Sequence, residues 1–100
     1  MLRSTMTFTR TNDTLPFYRA TDAAMAYQTT TYANTGKRIS FEYQLSQDKL
    51  TLSLIVNWKD QAAYDEFYND PQNQTLLFGP RQAYCQANGI TVTPNVVTQV

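Results

Sequence analysis

Lys37–Pro71 reads KRISFEYQLSQDKLTLSLIVNWKDQAAYDEFYNDP, two alternating stretches joined by a short polar step and followed by an amphipathic one. Ile39, Phe41, Tyr43 and Leu45 recur at period two, as do Leu50, Leu52, Leu54, Val56 and Trp58. Period-two alternation marks a strand with one buried face. Ser46-Gln47-Asp48-Lys49 suits a four-residue hairpin turn. Setting Leu45 opposite Leu50 pairs Tyr43 with Leu52, Phe41 with Leu54 and Ile39 with Val56, so both apolar sets share a face. A one-residue slip would turn one set to the wrong side, so the register is strongly specified. The other face carries Ser40, Glu42, Gln44, Thr51, Ser53 and Asn57, with Ile55 as its apolar exception. Such a half-polar face suits solvent or a subunit contact.

Outward from the hairpin, Asp60 is placed to cap a helix carrying Ala63, Tyr64, Phe67 and Tyr68 as its apolar stripe. Asn69-Asp70-Pro71 ends it. Leu76, Leu77 and Phe78 form an apolar plug before Gly79-Pro80, and Pro80 opens a last helix to about Asn88 with Ala83, Tyr84 and Ala87 inward. Upstream, Ser4–Arg10 reads as a Thr-rich strand with Met6 and Phe8 on one side. The spacing of Tyr18, Met25 and Tyr32, with four alanines among them, predicts a helix from about Leu15 to about Asn34, stopped by Gly36. Ile90–Thr93 reads as a final strand interrupted by Pro94. The tail keeps Val96, Val97 and Val100.

The chain has 100 residues, enough for one domain spanning 1–100 that hides roughly 60–70% of its unfolded surface. Eight Lys plus Arg balance eight Asp plus Glu. Zero net charge argues against a nucleic-acid partner, which leaves a basic footprint, and eases self-association. The lone Cys85 excludes an internal disulfide. The absence of histidine excludes Ser-His-Asp and Cys-His catalysis, His-ligated haem and most zinc sites, so no metal and no cofactor is expected. No apolar run has signal-peptide or membrane-spanning length. The expectation is a soluble cytoplasmic protein without a membrane partner, and the sequons at Asn12 and Asn73 are read as chance.

The element order β-α-β-β-α-β predicts an α+β, ferredoxin-like domain, a four-stranded antiparallel sheet with helices on one face. The bare sheet face asks for a cover, and a second copy is the natural one. The stretch Leu52–Pro71, LSLIVNWKDQAAYDEFYNDP, resembles the antibiotic biosynthesis monooxygenase-like group: a strand ending in Trp, a polar step, then a helix with Ala-Tyr and Phe leading to Asn-Asp-Pro. The resemblance implies a dimeric α+β barrel of paired ferredoxin-like subunits. It also implies a pocket between sheet and helices, where oxygenases of the group use Asn, Trp and Tyr side chains without a cofactor. The haem-degrading branch relies on a histidine that this chain lacks.

The candidate ligand contacts are therefore Asn57, Trp58, Tyr18, Tyr43, Tyr64 and Tyr84. Each also has a structural reading: Trp58 as a core plug, with Lys37 opposite it, and the tyrosines as half-buried core. Asn57 and Trp58 are neighbours and point to opposite faces of a regular strand. Arg81, beside Gly79-Pro80, either holds an anion at a helix start or lies on a solvated face. The candidate dimer contacts are Thr51, Ser53, Ile55, Val96, Val97 and Val100. Two functions are expected. The first is a homodimeric, non-catalytic module binding a small apolar or aromatic ligand or a partner. The alternative is a cofactor-independent monooxygenase acting on a small aromatic substrate. A cavity beside Trp58 favours the alternative; a filled core favours the module.

Overall fold

A computed structural model describes residues 1–100. Four strands, β1 (Leu2–Thr9), β2 (Arg38–Leu45), β3 (Thr51–Trp58) and β4 (Thr91–Gln99), form one sheet in the order β2-β3-β1-β4. Every neighbouring pair is antiparallel. Helix α1 (Asp22–Gln28) runs into a wider π turn, Thr29–Ala33. Helix α2 (Gln61–Asn69) is followed by α3 (Pro71–Asn73), a second π turn (Gln74–Phe78) and α4 (Gly79–Ala87). This is the ferredoxin-like arrangement, with its second helical region divided at Asp70-Pro71.

Strand β1 sits at the centre and alternates cleanly: Leu2, Ser4, Met6 and Phe8 are buried. One core cluster joins Leu2 and Val56 to Tyr32, Trp58, Phe67 and Leu77; a second joins Met6 and Phe8 to Cys85 and Ile90. Asp60 caps α2, its carboxylate accepting from the Ala63 amide at 2.9 Å. Asp70, in extended backbone, ends α2 and caps α3 through the Gln72 amide at 2.9 Å.

The β2–β3 register differs from the sequence expectation by two residues. Leu45 faces Leu52, Tyr43 faces Leu54 and Phe41 faces Val56. The cause is a longer turn. Ser46 pairs with Thr51 through its amide at 2.8 Å, Asp48 accepts from Ser46 Oγ and the Leu50 amide, and Lys49 adopts φ 64°. Leu50 thus leaves the strand. A shift of two preserves the faces, so the apolar sets still coincide. The register also slips between Arg38 and Ser40, leaving Ile39 in a bulge.

Helix α1 begins at Asp22, not near Leu15, because Thr21 Oγ1 caps it through the Ala24 amide at 3.2 Å. Asn12 Oδ1 instead gathers the Thr14 and Leu15 amides, holding the preceding segment as a loop. The inward residues are Ala24, Gln28 and Tyr32, while Met25 is 47% exposed. In α4, Ala83 and Ala87 are exposed and Cys85 is the buried residue. Pro94 does not end β4, because a register shift between Thr5 and Thr7 absorbs it and pairing resumes at Val96. Lys37 lies 5.8 Å over the Tyr32 ring and pairs with Glu66 at 2.6 Å, rather than stacking on Trp58. No helix is long and apolar enough to cross a membrane.

Candidate functional site, a cavity walled by aromatic and arginine side chains

The late start of α1 leaves the helix-side face of edge strand β2 uncovered. Phe41 and Tyr43 remain 46% and 56% exposed, although both point to the helix layer. They form one wall of a cavity of about 350 Å³. Leu52, Leu54 and Val56 form its floor, Trp58 and Phe67 one end, and the Tyr18–Ala20 loop, Met25, Gln28 and Thr29 its cover. Its lining is 12 hydrophobic residues out of 17, and its volume falls in the ~300–1,000 Å³ range of small-molecule sites.

The loop that carries Tyr18 is pinned. Arg10 donates to the Leu15 carbonyl at 2.8 Å and to the Lys49 carbonyl at 2.7 and 2.9 Å, and its guanidinium lies 4.3 Å from the Phe17 ring. Tyr84 Oη donates to the Pro16 carbonyl at 2.5 Å, and its ring lies 5.6 Å from that of Tyr18. Trp58 is pinned too: its indole N–H donates to Ser4 Oγ at 2.9 Å, and Phe67 packs at 4.9 Å. Only 1% of Trp58 is exposed, so the indole backs the end of the cavity, and the aromatic faces open to a ligand are those of Phe41 and Tyr43.

The cavity's charge is one-signed. Arg19, Arg38 and Arg81 line it, and no Asp or Glu does. Arg38 Nη1 donates to Gln28 Oε1 at 3.1 Å, and its guanidinium lies 4.5 Å from the Phe41 ring. Arg81 sits 5.4 Å from the Phe8 ring and 5.5 Å from the Phe78 ring. Burial lowers the pKa of both guanidinium groups. The single ion pair of the chain, Lys37–Glu66, lies elsewhere. A smaller void of about 30 Å³ adjoins the cavity at Phe8, Phe17 and Cys85. Burial also pushes the Cys85 thiol up, away from thiolate chemistry. No group of three or more Cys, Asp or Glu side chains converges as a metal site would require.

The structure brings Trp58, Tyr18 and Tyr43 together around the cavity. Tyr64 lies outside it, edge-on to Trp58 at 6.0 Å, and Tyr84 lies behind the loop. Asn57 is on the outer sheet face, where Oδ1 accepts from Arg3 Nε at 3.0 Å and Nδ2 donates to Ser40 Oγ at 2.9 Å. That outer face also carries Thr51, Ser53 and Ile55, with Thr5 opposite both Ile55 and Val96. Val97 pairs with Ser4 and so faces the helix side; Val100 lies past the strand end, its amide on the Met1 carbonyl. Gln28, Arg38, Phe41 and Tyr68 are cavity residues that the sequence reading did not select. Phe41 was legible only as an apolar stripe position, and Gln28 only as a polar residue at helical spacing from Tyr32.

No protein-family model matches the chain, and no curated protein matches it in sequence. Solved structures match it along its whole length. SnoaB, a cofactor-independent oxygenase of Streptomyces nogalater, has a TM-score of 0.64 at 15% identity, covering 99% of this chain and 91% of its own. A dimeric ferredoxin-like protein from an uncultured marine organism has a TM-score of 0.60 at 14% identity, covering 99% and 94%. A Deinococcus radiodurans protein assigned to antibiotic biosynthesis monooxygenases has a TM-score of 0.59 at 8% identity, covering 100% and 92%. The chain thus shares its fold with the ferredoxin-like, antibiotic biosynthesis monooxygenase-like group that Leu52–Pro71 resembles.

Proposed function

We propose that this chain is a homodimeric binder of small planar aromatic ligands, held between Tyr18, Phe41 and Tyr43, with Trp58 behind the end wall. The cavity of about 350 Å³ carries the ligand-binding part of this reading and weighs against a module with a filled core; because it lies beside Trp58 it also supports the oxygenase, the second reading below. A core meant only to be packed leaves few voids larger than a water molecule. The dimer rests on the Thr-rich outer sheet face with Ile55 and Val96 at its centre, on zero net charge, and on the dimeric state named for the marine protein. Trp58 is the only tryptophan, so its fluorescence reports directly on the cavity. Titrating the chain with naphthalene-based probes should quench that emission saturably, with the effect lost in Leu54→Phe, which fills the floor and keeps Trp58 as the reporter. A linear, unsaturable response contradicts the reading.

The second reading is cofactor-free oxygenation of such a ligand. It is supported by the cavity beside Trp58 and by the likeness to SnoaB. In that chemistry the substrate supplies all four electrons that reduce dioxygen, one oxygen atom entering the product and the other leaving as water, and it must first lose a proton; the chain has no His to take that proton, which favours the binder. Dioxygen uptake with an electron-rich polycyclic phenol, dependent on protein and abolished by Trp58→Ala in a variant that stays folded, supports oxygenation. Saturable binding without uptake across a panel of such phenols leaves a binder alone.

A further inference from the structure

The cavity wall contains an unmatched pair of polar side chains. Gln28, at the end of α1, is only 8% exposed and lines the cavity. Its Oε1 accepts from Arg38 Nη1 at 3.1 Å, which settles which end of the amide is which. Its Nε2 is then a buried donor with no acceptor anywhere in the fold. Only one other buried side-chain atom is so placed, Asn73 Oδ1, and Asn73 does not line this cavity.

Arg38 is equally unspent. A guanidinium offers five N–H donors, and the side chain of Arg38 uses one hydrogen bond, to Gln28. It is partly buried, has no carboxylate partner, and stands opposite Trp58 in the β2–β3 register. Three of the chain's eight cationic side chains line this cavity, against none of its eight acids. A pair serving only to tie α1 to β2 would not need a cation, and would not leave a buried amide donor without an acceptor.

Resting on the aromatic-ligand reading above, we infer that Gln28 and Arg38 form the oxyanion-binding end of the cavity. They select aromatic ligands that carry a carboxylate. The carboxylate takes a charge-assisted hydrogen bond from the free Arg38 donors and the missing acceptor's place at Gln28 Nε2. The ring system lies along Phe41, Tyr43 and Leu54. Apolar walls set affinity, and the few polar groups set orientation and choice of ligand.

The test is calorimetric titration of the full chain with naphthalene-2-carboxylate and the isosteric, uncharged naphthalene-2-carboxamide. The carboxylate should bind about tenfold more tightly, the worth of one hydrogen bond to a charged group. In the NMR spectrum the Gln28 side-chain NH₂ resonances should shift with the carboxylate and not with the carboxamide. Gln28→Glu keeps the shape, pairs internally with Arg38 and should reverse the preference; Arg38→Met should abolish it, each in protein with a cooperative melt. Equal binding of both ligands, or a carboxylate preference that survives Gln28→Glu, overturns this inference while leaving the cavity as an aromatic site. Binding of neither ligand overturns the cavity reading and this inference with it.

Discussion

The Trp58 indole N–H donates to Ser4 Oγ at 2.9 Å, and both residues are 1% exposed. The bond crosses from β3 to the central strand and fixes the indole plane in the cavity wall. It also explains why the otherwise apolar inner face of β1 carries a serine: an unpaired indole donor there would cost free energy.

Ser4→Ala should therefore destabilise by about 1–3 kcal/mol, the cost of leaving the buried indole donor unsatisfied. Trp58→Phe should cost a similar amount, and in that background Ser4→Ala should cost little, because the donor is already gone. Urea denaturation of the four proteins of this cycle measures the coupling. Additive losses contradict the role given to the bond.

A second polar knot predicts pH dependence. Tyr27 and Tyr32 Oη both donate to Asp70 Oδ2, at 2.5 and 2.7 Å, tying α1 to the α2–α3 joint. Partial burial pushes the Asp70 carboxyl up, but the two phenol donors and the Gln72 and Asn73 amides outweigh it and hold the pKa below the usual value. Its stabilisation is thus present above the unfolded-state pKa and is lost as pH falls through the lower folded value. Burial and the Asp70 carboxylate push Tyr32 strongly up, so its stabilisation is complete below the unfolded tyrosine pKa and declines above about pH 10. Asp70→Asn should flatten the acid limb of the stability profile below about pH 4, and Tyr32→Phe the alkaline limb. Profiles parallel to that of the unsubstituted chain contradict the assignment.

The proposed dimer contact lies on the outer sheet face. Ile55 and Val96 both lie opposite Thr5, on adjacent sides of β1, and Val96 is 61% exposed. Ile55→Lys would place a charge at the centre of the proposed contact and should give a monomer by light scattering, with the melt of the subunit largely kept. Asp13→Lys, in the exposed loop before α1, should leave the dimer intact. A dimer that persists in Ile55→Lys would place the contact elsewhere.

The loop that covers the cavity depends on Arg10. Arg10→Ala removes its bonds to the Leu15 and Lys49 carbonyls and the contact with Phe17. The amides from Thr11 to Ala20 should then exchange faster by about tenfold or more, while amides of β1 change little, since loops open locally without global unfolding. Uniform acceleration across the sheet would show that Arg10 supports the whole fold and not the cover.

The hairpin was legible because period two is a strong signal and a shift of two residues leaves it unchanged. For the same reason the sequence could not distinguish Leu45 opposite Leu50 from Leu45 opposite Leu52; the Ser46–Asp48 turn bonds made that choice. The Asp60 cap and the stop at Asp70-Pro71 were legible because side-chain chemistry acts locally there. Helix α1 was misjudged by about seven residues, because alanines and a sevenfold spacing outweighed a Thr21 cap that looks like any other threonine. That error hid the cavity, which exists because the loop does not cover β2. Trp58 was legible from its place at the strand-to-helix joint, and Tyr18 and Tyr43 only as tyrosines able to line a cavity, whereas Gln28 and Arg38 meet only once α1 and β2 are placed together.

The most direct test of the cavity reading is native mass spectrometry of gently purified protein, which reports subunit count and retained ligand together. The subunit mass is 11.4 kDa. The expected result is a species of twice that mass carrying an organic molecule at each subunit, or an empty dimer that takes up one aromatic carboxylate per subunit when offered it. A monomer, or a dimer that stays empty with the carboxylate in excess, contradicts it.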